Sequence, residues 1–191
     1  MELVKGGHVT PLAADTLRMR RITVVPAGSV DPFLPPDLAP ASEIKRVAIA
    51  SDHTGGALRR AIIQHLRGRA IDVNDLGVDG VQSVDYPDTA AAVAKAVARG
   101  EADAGIVIDG AGIGSSIAAN KVRGVRAVMA TDETIARYSR QHNGANVLTL
   151  GSTLLQAEAA VRIIDVWLST PMTEARYIRR LVKIRRLEDA F

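Results

Sequence analysis

Residues 106–121 have the sequence Ile-Val-Ile-Asp-Gly-Ala-Gly-Ile-Gly-Ser-Ser-Ile-Ala-Ala-Asn-Lys. The β-branched residues at its start predict a buried strand, and the Ala/Ile-rich residues at its end predict a helix. Between them stand Gly110, Gly112 and Gly114, which let the backbone approach a ligand closely, and the helix start offers unpaired N–H groups to an anion. The stretch therefore predicts either an anion-binding turn with a carboxylate, Asp109, at its mouth or a tight strand-to-helix connection that is merely rich in glycine.

The rest of residues 46–191 repeats this alternation of strand and helix. The pattern is typical of an α/β fold in which helices cover both faces of one parallel, five-stranded sheet. Ligands of such folds bind at the carboxyl ends of the strands, so the loops 51–53, 109–114 and 151–152 are expected to line the site. The predicted strands span 47–50, 70–76, 104–108, 125–130 and 146–150; the predicted helices span 54–67, 88–99, 133–141, 155–168 and 173–187, with a further helix from the glycine turn to about residue 121.

Residues 1–45 differ from the domain of residues 46–191 and are predicted to form an N-terminal extension. Thr10 and Pro11 predict a helix start, because a capping hydroxyl precedes proline at the first helical position. Residues 22–25 form a short β-like run. Five of the eight prolines of the chain then fall within residues 26–40, which is typical of an extended linker. The extension is interpreted either as a flexible tail or as a docking peptide.

Composition excludes several classes of function. The chain has 191 residues and no cysteine, so a disulfide, a thiolate metal site and a cysteine nucleophile are excluded. A net charge of +3 and a basic last helix without interleaved aromatic residues do not predict nucleic-acid binding. No apolar run reaches the roughly 20 residues of a membrane span, and residues 1–5 lack the apolar core of a signal peptide. A cytoplasmic protein that binds neither nucleic acid nor membrane is expected.

Single residues near the expected site have structural as well as functional interpretations. An aspartate after a strand, such as Asp52, commonly caps the next helix. His142 lies near a helix end, where the helix dipole favours a cation. Arg176 and Arg180 stand four residues apart on one helix face and would suit a phosphate, but a solvated basic helix has the same pattern. The combination of motifs is therefore more informative than any one of them.

Five motifs occur in a defined order along the chain. They are Ser-Asp-His at 51–53, Asp-Tyr-Pro at 85–87, Gly-Ala-Gly-Ile-Gly followed by Ser-Ser-Ile-Ala-Ala-Asn-Lys at 110–121, Arg-Gln-His-Asn at 140–143 and Asn-Val-Leu-Thr-Leu-Gly at 146–151. Over residues 45–184 the chain resembles the type B ribose-5-phosphate isomerase family, which includes galactose-6-phosphate isomerase subunits. The extension of residues 1–45 precedes the region of resemblance.

The resemblance implies a Rossmann-like three-layer α/β/α sandwich. It also implies aldose–ketose isomerisation of a phosphorylated sugar, ribose 5-phosphate to ribulose 5-phosphate, through an enediolate and without a cofactor or metal. At the matching positions, Asp109 would be the base and His142 the acid/base that opens the sugar ring. The resemblance further implies substrate contacts by the sugar-binding residues Asp52, His53, Tyr86 and Asn143, the anion hole Gly110, Ala111, Gly112, Ile113 and Gly114, and the phosphate clamp Arg176 and Arg180.

Four positions depart from the family pattern. Many members carry a cysteine base where this chain has Asp109, and another branch carries a glutamate where it has Ser115. A threonine or serine commonly occupies the place of Ala111, and a histidine the place of Tyr177. Asp109 is an adequate base if burial raises its pKa from about 3.9 toward neutrality. The alternative is a paralogue that binds a sugar phosphate without turning it over, or that has altered specificity.

Family membership also implies an assembly. Members form dimers in which each site takes residues from both subunits, so a homodimer or tetramer is expected. The segment of residues 9–13, with the β-like run that follows it, looks like short N-terminal segments on proteins of bacterial microcompartments. Residues 1–25 are therefore a candidate peptide for docking to a microcompartment shell, with the enzyme inside the compartment.

Overall fold

The computed structural model describes residues 2–3, 7–20, 25–26, 38, 40–41, 43–78, 83–172 and 174–190. In chain order the elements are β1 (Glu2–Leu3), α1 (Pro11–Met19), β2 (Val25–Pro26), β3 (Arg46–Ser51), α2 (Gly56–Gly68), β4 (Asp72–Asp75), α3 (Tyr86–Ala98), β5 (Ala104–Asp109), α4 (Ile113–Ala119), β6 (Ala127–Met129), α5 (Glu133–Asn143), β7 (Val147–Gly151), α6 (Ala157–Ser169) and α7 (Ala175–Glu188).

The main sheet has the strand order β4-β3-β5-β7-β6, and all of its pairs are parallel. The strand order reverses between β3 and β5, so the carboxyl ends of these two neighbouring strands flank the expected ligand crevice. The α/β class and the five-stranded parallel sheet predicted from the sequence are confirmed. Each predicted strand and helix of the domain is present with ends within two residues of those expected.

Two apolar layers cover the sheet. One face packs against α2, α5 and α6 through residues such as Ile62, Ala136 and Ile164. The other face packs against α3 and α4 through Ala90 and Ala119 among others. Every residue of β5 and β7 is buried, and apart from Asp109 and Thr149 both strands are apolar runs rather than alternating ones.

The helix α7 forms a third apolar cluster at the edge of the fold. Its buried side chains Tyr177, Ile178 and Leu181 pack against Met172 and against Leu38, a residue of the extension. The boundary predicted at residue 45 remains a prediction from sequence, but Leu38, which precedes it, already packs into the domain.

The extension begins as its sequence indicates. Thr10 caps α1 by accepting a hydrogen bond from the backbone N–H of Ala13, and Pro11 is the first helical residue. The short strands β1 and β2 pair in parallel. Residues 22–24 of the β-like run and most of the proline-rich linker lie outside the described residues.

One sequence interpretation of α2 is wrong. The pattern places Arg59 on the solvent side of the helix, but its side chain is fully buried. The guanidinium lies 3.5 Å from the Asp75 carboxylate and fills the space above Gly77, where a Cβ would lie 1.3 Å from its nitrogen. A charged residue is buried here because β4 supplies a carboxylate and the following glycine leaves room.

Candidate active site

The carboxyl edge of the sheet brings together the three loops expected to line the site. Register places Ser51 beside Ile108 and Asp109 beside Gly151. The backbone N–H of Ser152 donates to the carbonyl oxygen of Asp109 at 2.8 Å. The hydroxyl groups of Thr54 and Ser152 lie 3.2 Å apart and connect the first and third loops.

Asp109 ends β5, and its carboxylate turns back onto the glycine turn. One carboxylate oxygen accepts hydrogen bonds from the backbone N–H groups of Ala111, at 2.8 Å, and of Gly112. The other accepts from the N–H of Ser115 at 2.9 Å. The carboxylate thus satisfies three of the N–H groups that the turn and the start of α4 expose. The side chain is 5% exposed.

The expectation that burial raises the pKa of Asp109 is wrong. Burial does act in that direction, but the neighbouring Ser115 and the three backbone N–H groups outweigh it and lower the pKa below the ordinary carboxyl value. The Ser115 hydroxyl stabilises the charge although its oxygen lies outside strict hydrogen-bond geometry. Asp109 is therefore a charged carboxylate at neutral pH.

The glycine turn is fixed by its contacts with β7. Gly112 has φ of +79°, and a Cβ there would lie 2.9 Å from the backbone carbon of Leu150. The Thr149 hydroxyl donates to the carbonyl oxygen of Gly112 at 2.7 Å. Within the described residues, no acceptor faces the backbone N–H groups of Gly110, Ile113 and Gly114. These three donors remain for a ligand beside the Asp109 carboxylate.

The positions of the first loop and of α3 that are expected to contact the sugar lie at the same edge. One oxygen of the Asp52 carboxylate accepts from the N–H and the hydroxyl of Thr54 and from the N–H of Gly55, so it holds the start of α2. His53 is exposed beside it. The Tyr86 ring packs over Gly114, where a Cβ would meet the ring at 2.6 Å.

A second cluster gathers the remaining expected site residues. His142 stacks on Tyr138 with ring centroids 4.7 Å apart, and its other neighbour is Tyr177 at 4.5 Å. The guanidinium groups of Arg176 and Arg180 lie 4.7 and 5.6 Å from the centroid of the Tyr177 ring. Asn143 is the last residue of α5 and is exposed.

The two arginines expected to bind a phosphate have defined partners within this cluster. Arg176 donates to the Tyr177 hydroxyl at 2.8 Å and forms an ion pair with Glu174, which raises its pKa. Tyr177 is 6% exposed. Its ring contacts His142 and both arginines, so it connects them. The family resemblance marked Tyr177 only as a departure from the histidine that is common at this position. Its place next to Arg176 in the sequence was the signal that it belongs to the same group of residues. Tyr138 was also missed, although it stands four residues before His142 on the same helix.

The two clusters lie at opposite edges of the sheet. Asp109 is level with Gly151, the last residue of β7, whereas α5 ends just before Val147, the first residue of β7. Four residue steps of a strand separate these levels, on the order of 13 Å. One copy of the chain therefore does not bring His142, Arg176 and Arg180 to Asp109.

No metal or membrane site emerges from the described part of the chain. It contains no group of three or more His, Asp or Glu side chains arranged to hold a metal ion. Among the same residues, no helix has both the length and the apolarity needed to cross a bilayer.

Residues 47–184 match the family model of ribose/galactose isomerases. The chain is 43% identical to ribose-5-phosphate isomerase B of Escherichia coli over 146 residues, which are 76% of this chain and 98% of that protein. Its fold is similar to that of ribose-5-phosphate isomerase B from Clostridium thermocellum, with a TM-score of 0.74, 46% identity and coverage of 76% and 98% of the two chains. It is also similar to the Mycoplasma genitalium enzyme with bound ribulose 5-phosphate, with a TM-score of 0.73, 40% identity and coverage of 76% and 97%.

Proposed function

The chain belongs to the ribose/galactose isomerase family, and we propose that it interconverts ribose 5-phosphate and ribulose 5-phosphate through an enediolate. The observation that carries this proposal is the charged Asp109 carboxylate beside three backbone N–H groups that have no hydrogen-bond partner among the described residues. A base next to an anion hole is what proton transfer between two adjacent sugar carbons requires. Similarity to a relative with bound ribulose 5-phosphate supports the choice of substrate.

The residues at the carboxyl edge perform the proton transfer. Asp109 takes the proton from C2 of the open-chain aldose, and the electron pair forms the C1–C2 double bond of an enediolate with the negative charge on O1. The hydroxyl proton then passes from O2 to O1, and Asp109 returns its proton to C1, which gives the ketose. The N–H groups of Gly110, Ile113 and Gly114 stabilise the developing negative oxygen. The low pKa of Asp109 keeps the base charged at physiological pH but weakens it, so transfer depends on this stabilisation of the enediolate.

The residues at the other edge come from a second copy. His142 of that copy opens the furanose ring, and its Arg176 and Arg180 hold the phosphate, because these side chains are too far from Asp109 within one chain. Apolar side chains stand exposed around the glycine turn, where a second copy would cover them: Tyr86, Ile113, Ile117 and Leu154. The proposed assembly is a homodimer, or a tetramer built from such dimers.

The first test is an isomerisation assay on ribose 5-phosphate and on a panel of pentose and hexose phosphates, with wild type and Asp109→Asn. We expect turnover by wild type and a loss of about 100-fold or more in the variant, the contribution typical of a general base. An Asp109→Asn variant at full rate would show that another group is the base.

Two further measurements, thermal stabilisation by sugar phosphates and deuterium exchange into the sugar, separate catalysis from binding alone. Sugar phosphates could raise the melting temperature of wild type while no solvent deuterium enters C2 of ribose 5-phosphate or C1 of ribulose 5-phosphate. That result would favour the non-catalytic, sugar-phosphate-binding alternative. A preference for another sugar of the panel would identify altered specificity.

A second proposal concerns location: residues 1–25 dock the enzyme to a microcompartment shell, so that it works in the cytoplasm within that compartment. The described helix α1 has no buried residue, and its Leu12 and Met19 side chains are each 79% exposed. Deletion of residues 1–26 should abolish co-purification with a shell and leave activity unchanged. The deletion must end before Leu38, which is buried in the domain. Unchanged co-purification would refute the docking role.

A further inference from the structure

The end of the extension is packed into the half of the molecule that carries His142 and the phosphate clamp. We call the described residues Leu38, Pro40 and Ala41 the strap. The Leu38 side chain is 3% exposed and lies in one apolar cluster with Tyr177 and Leu181 of α7. The family match begins at residue 47, so the strap lies outside the region that the family model covers.

Two buried arginines hold the strap by its backbone. Arg126 donates to the carbonyl oxygen of Leu38 at 3.3 Å, and Arg140 donates to the carbonyl oxygen of Ala41 at 3.0 Å. Burial, and then the charge of Arg126, lower the pKa of Arg140 to about 10, so its guanidinium is still charged at neutral pH. A buried charge needs its hydrogen-bond acceptors, and one of those acceptors belongs to the strap.

The strap touches both elements of the second cluster. Arg140 lies two residues before His142 on α5. Gly144, which ends α5 with φ of +56°, is so close to Pro40 and Leu181 that a Cβ would lie 3.4 and 2.9 Å from them. On the other side, the Leu38 cluster includes Tyr177, whose ring lies 4.5 Å from that of His142.

From these contacts we propose that the strap positions His142 and the phosphate-clamp helix, so that the extension is a working part of the active site as well as a tether. Leu38 is a positioning residue: it sets the place of Tyr177, and Tyr177 sets the places of the imidazole and of both guanidinium groups. The role assigned to these groups rests on the proposed isomerase function, whereas the positioning itself does not.

The test compares Leu38→Ala with Leu12→Ala in the full chain. Both variants remove the same atoms from a leucine of the extension, but Leu12 is 79% exposed and Leu38 is buried. Three properties are measured: KM and kcat for ribose 5-phosphate, affinity for inorganic phosphate, and the titration of the His142 ring by NMR. If Leu38→Ala does not fold, Leu38→Val makes the same comparison with a smaller cavity.

We expect Leu38→Ala to weaken phosphate binding and raise KM by about tenfold, the scale of one displaced charged contact, and to shift the His142 titration. Leu12→Ala should match wild type in all three. A Leu38 variant with a lower melting temperature but unchanged phosphate affinity and His142 titration would overturn the proposal. If wild type itself shows no isomerisation, the proposed function fails, while phosphate affinity and the titration still decide the role of the strap.

Discussion

The two edges of the sheet carry the two proposed halves of one site and are built in different ways. At the carboxyl edge, the Asp109 carboxylate is held by hydrogen bonds from backbone N–H groups at most six positions away. At the other edge, His142 and Tyr177 meet through ring contacts between α5 and α7, with Leu38 and Ala41 behind them. The orientation of the Asp109 carboxylate is thus set by a local sequence motif, whereas the arrangement of His142 and Tyr177 depends on tertiary packing.

The largest effect that would sharpen this comparison is expected from His142→Gln. Ribulose 5-phosphate has no furanose form, so ring opening is needed only when ribose 5-phosphate is the substrate. The variant should lose about 100-fold in kcat for ribose 5-phosphate, the contribution typical of acid–base catalysis. It should largely keep solvent deuterium exchange at C1 of ribulose 5-phosphate. Equal losses in both reactions would place His142 in the proton transfer itself and break the division between the two edges.

The next effect concerns the phosphate clamp at the same edge. Arg180→Met should raise KM for ribose 5-phosphate by about tenfold with little change in kcat, because a charged hydrogen bond to phosphate is lost. Arg179→Met is the matched control: Arg179 is its exposed neighbour on α7 and has no ring contact with Tyr177 among the described interactions. Equal KM values for the two variants would remove Arg180 from the clamp.

A smaller effect is expected from backbone changes at the carboxyl edge. Gly112→Ala combines a positive φ with a 2.9 Å contact to the backbone of β7, whereas Gly124→Ala has φ of +82° and open space around the added Cβ. We expect the control to lose about 1–2 kcal/mol of unfolding free energy from φ alone, and Gly112→Ala to lose about 3 kcal/mol or more. Denaturant unfolding measures both. Equal losses would mean that the turn is not confined by β7.

The smallest effect is expected in the pH dependence of protein stability, through the charge of Asp109 at the carboxyl edge. The pKa of Asp109 is lower in the folded protein than its ordinary value. Its charge therefore contributes stability that is complete above the ordinary pKa and is lost as pH falls through the folded pKa. The stability difference between wild type and Asp109→Asn should be constant above about pH 5 and shrink in more acidic solution. A difference that grows on acidification would contradict the lowered pKa.

The order of strands and helices was predictable because each element carries a strong periodic signal. The buried strand β5, the glycine turn and α4 follow one another in a single stretch whose residues specify all three. The loops at the carboxyl edge were predictable as a group, because parallel strands end together. The helix of the extension was predictable from a local signal as well, because Thr10 and Pro11 form a typical helix start.

The features that the sequence did not predict depend on the direction in which a side chain points or on contacts between residues far apart in the chain. The direction of the Asp109 pKa shift was wrong because it depends on where the carboxylate points, and burial alone predicts the opposite sign. Arg59 was misplaced because its partners lie on β4 and the loop after it. Leu38 falls in a proline-rich stretch without periodicity, so its burial against α7 leaves no local signal.

We propose above all that each active site combines Asp109 of one copy of the chain with His142 of another. The most direct test mixes two variants that are each inactive on ribose 5-phosphate, Asp109→Asn and His142→Gln, by unfolding and refolding them together. Random pairing gives hybrid dimers with one intact site, so the mixture should regain about a quarter of the wild-type activity. A mixture as inactive as its components, with hybrid dimers demonstrated by mass spectrometry, would contradict the shared site.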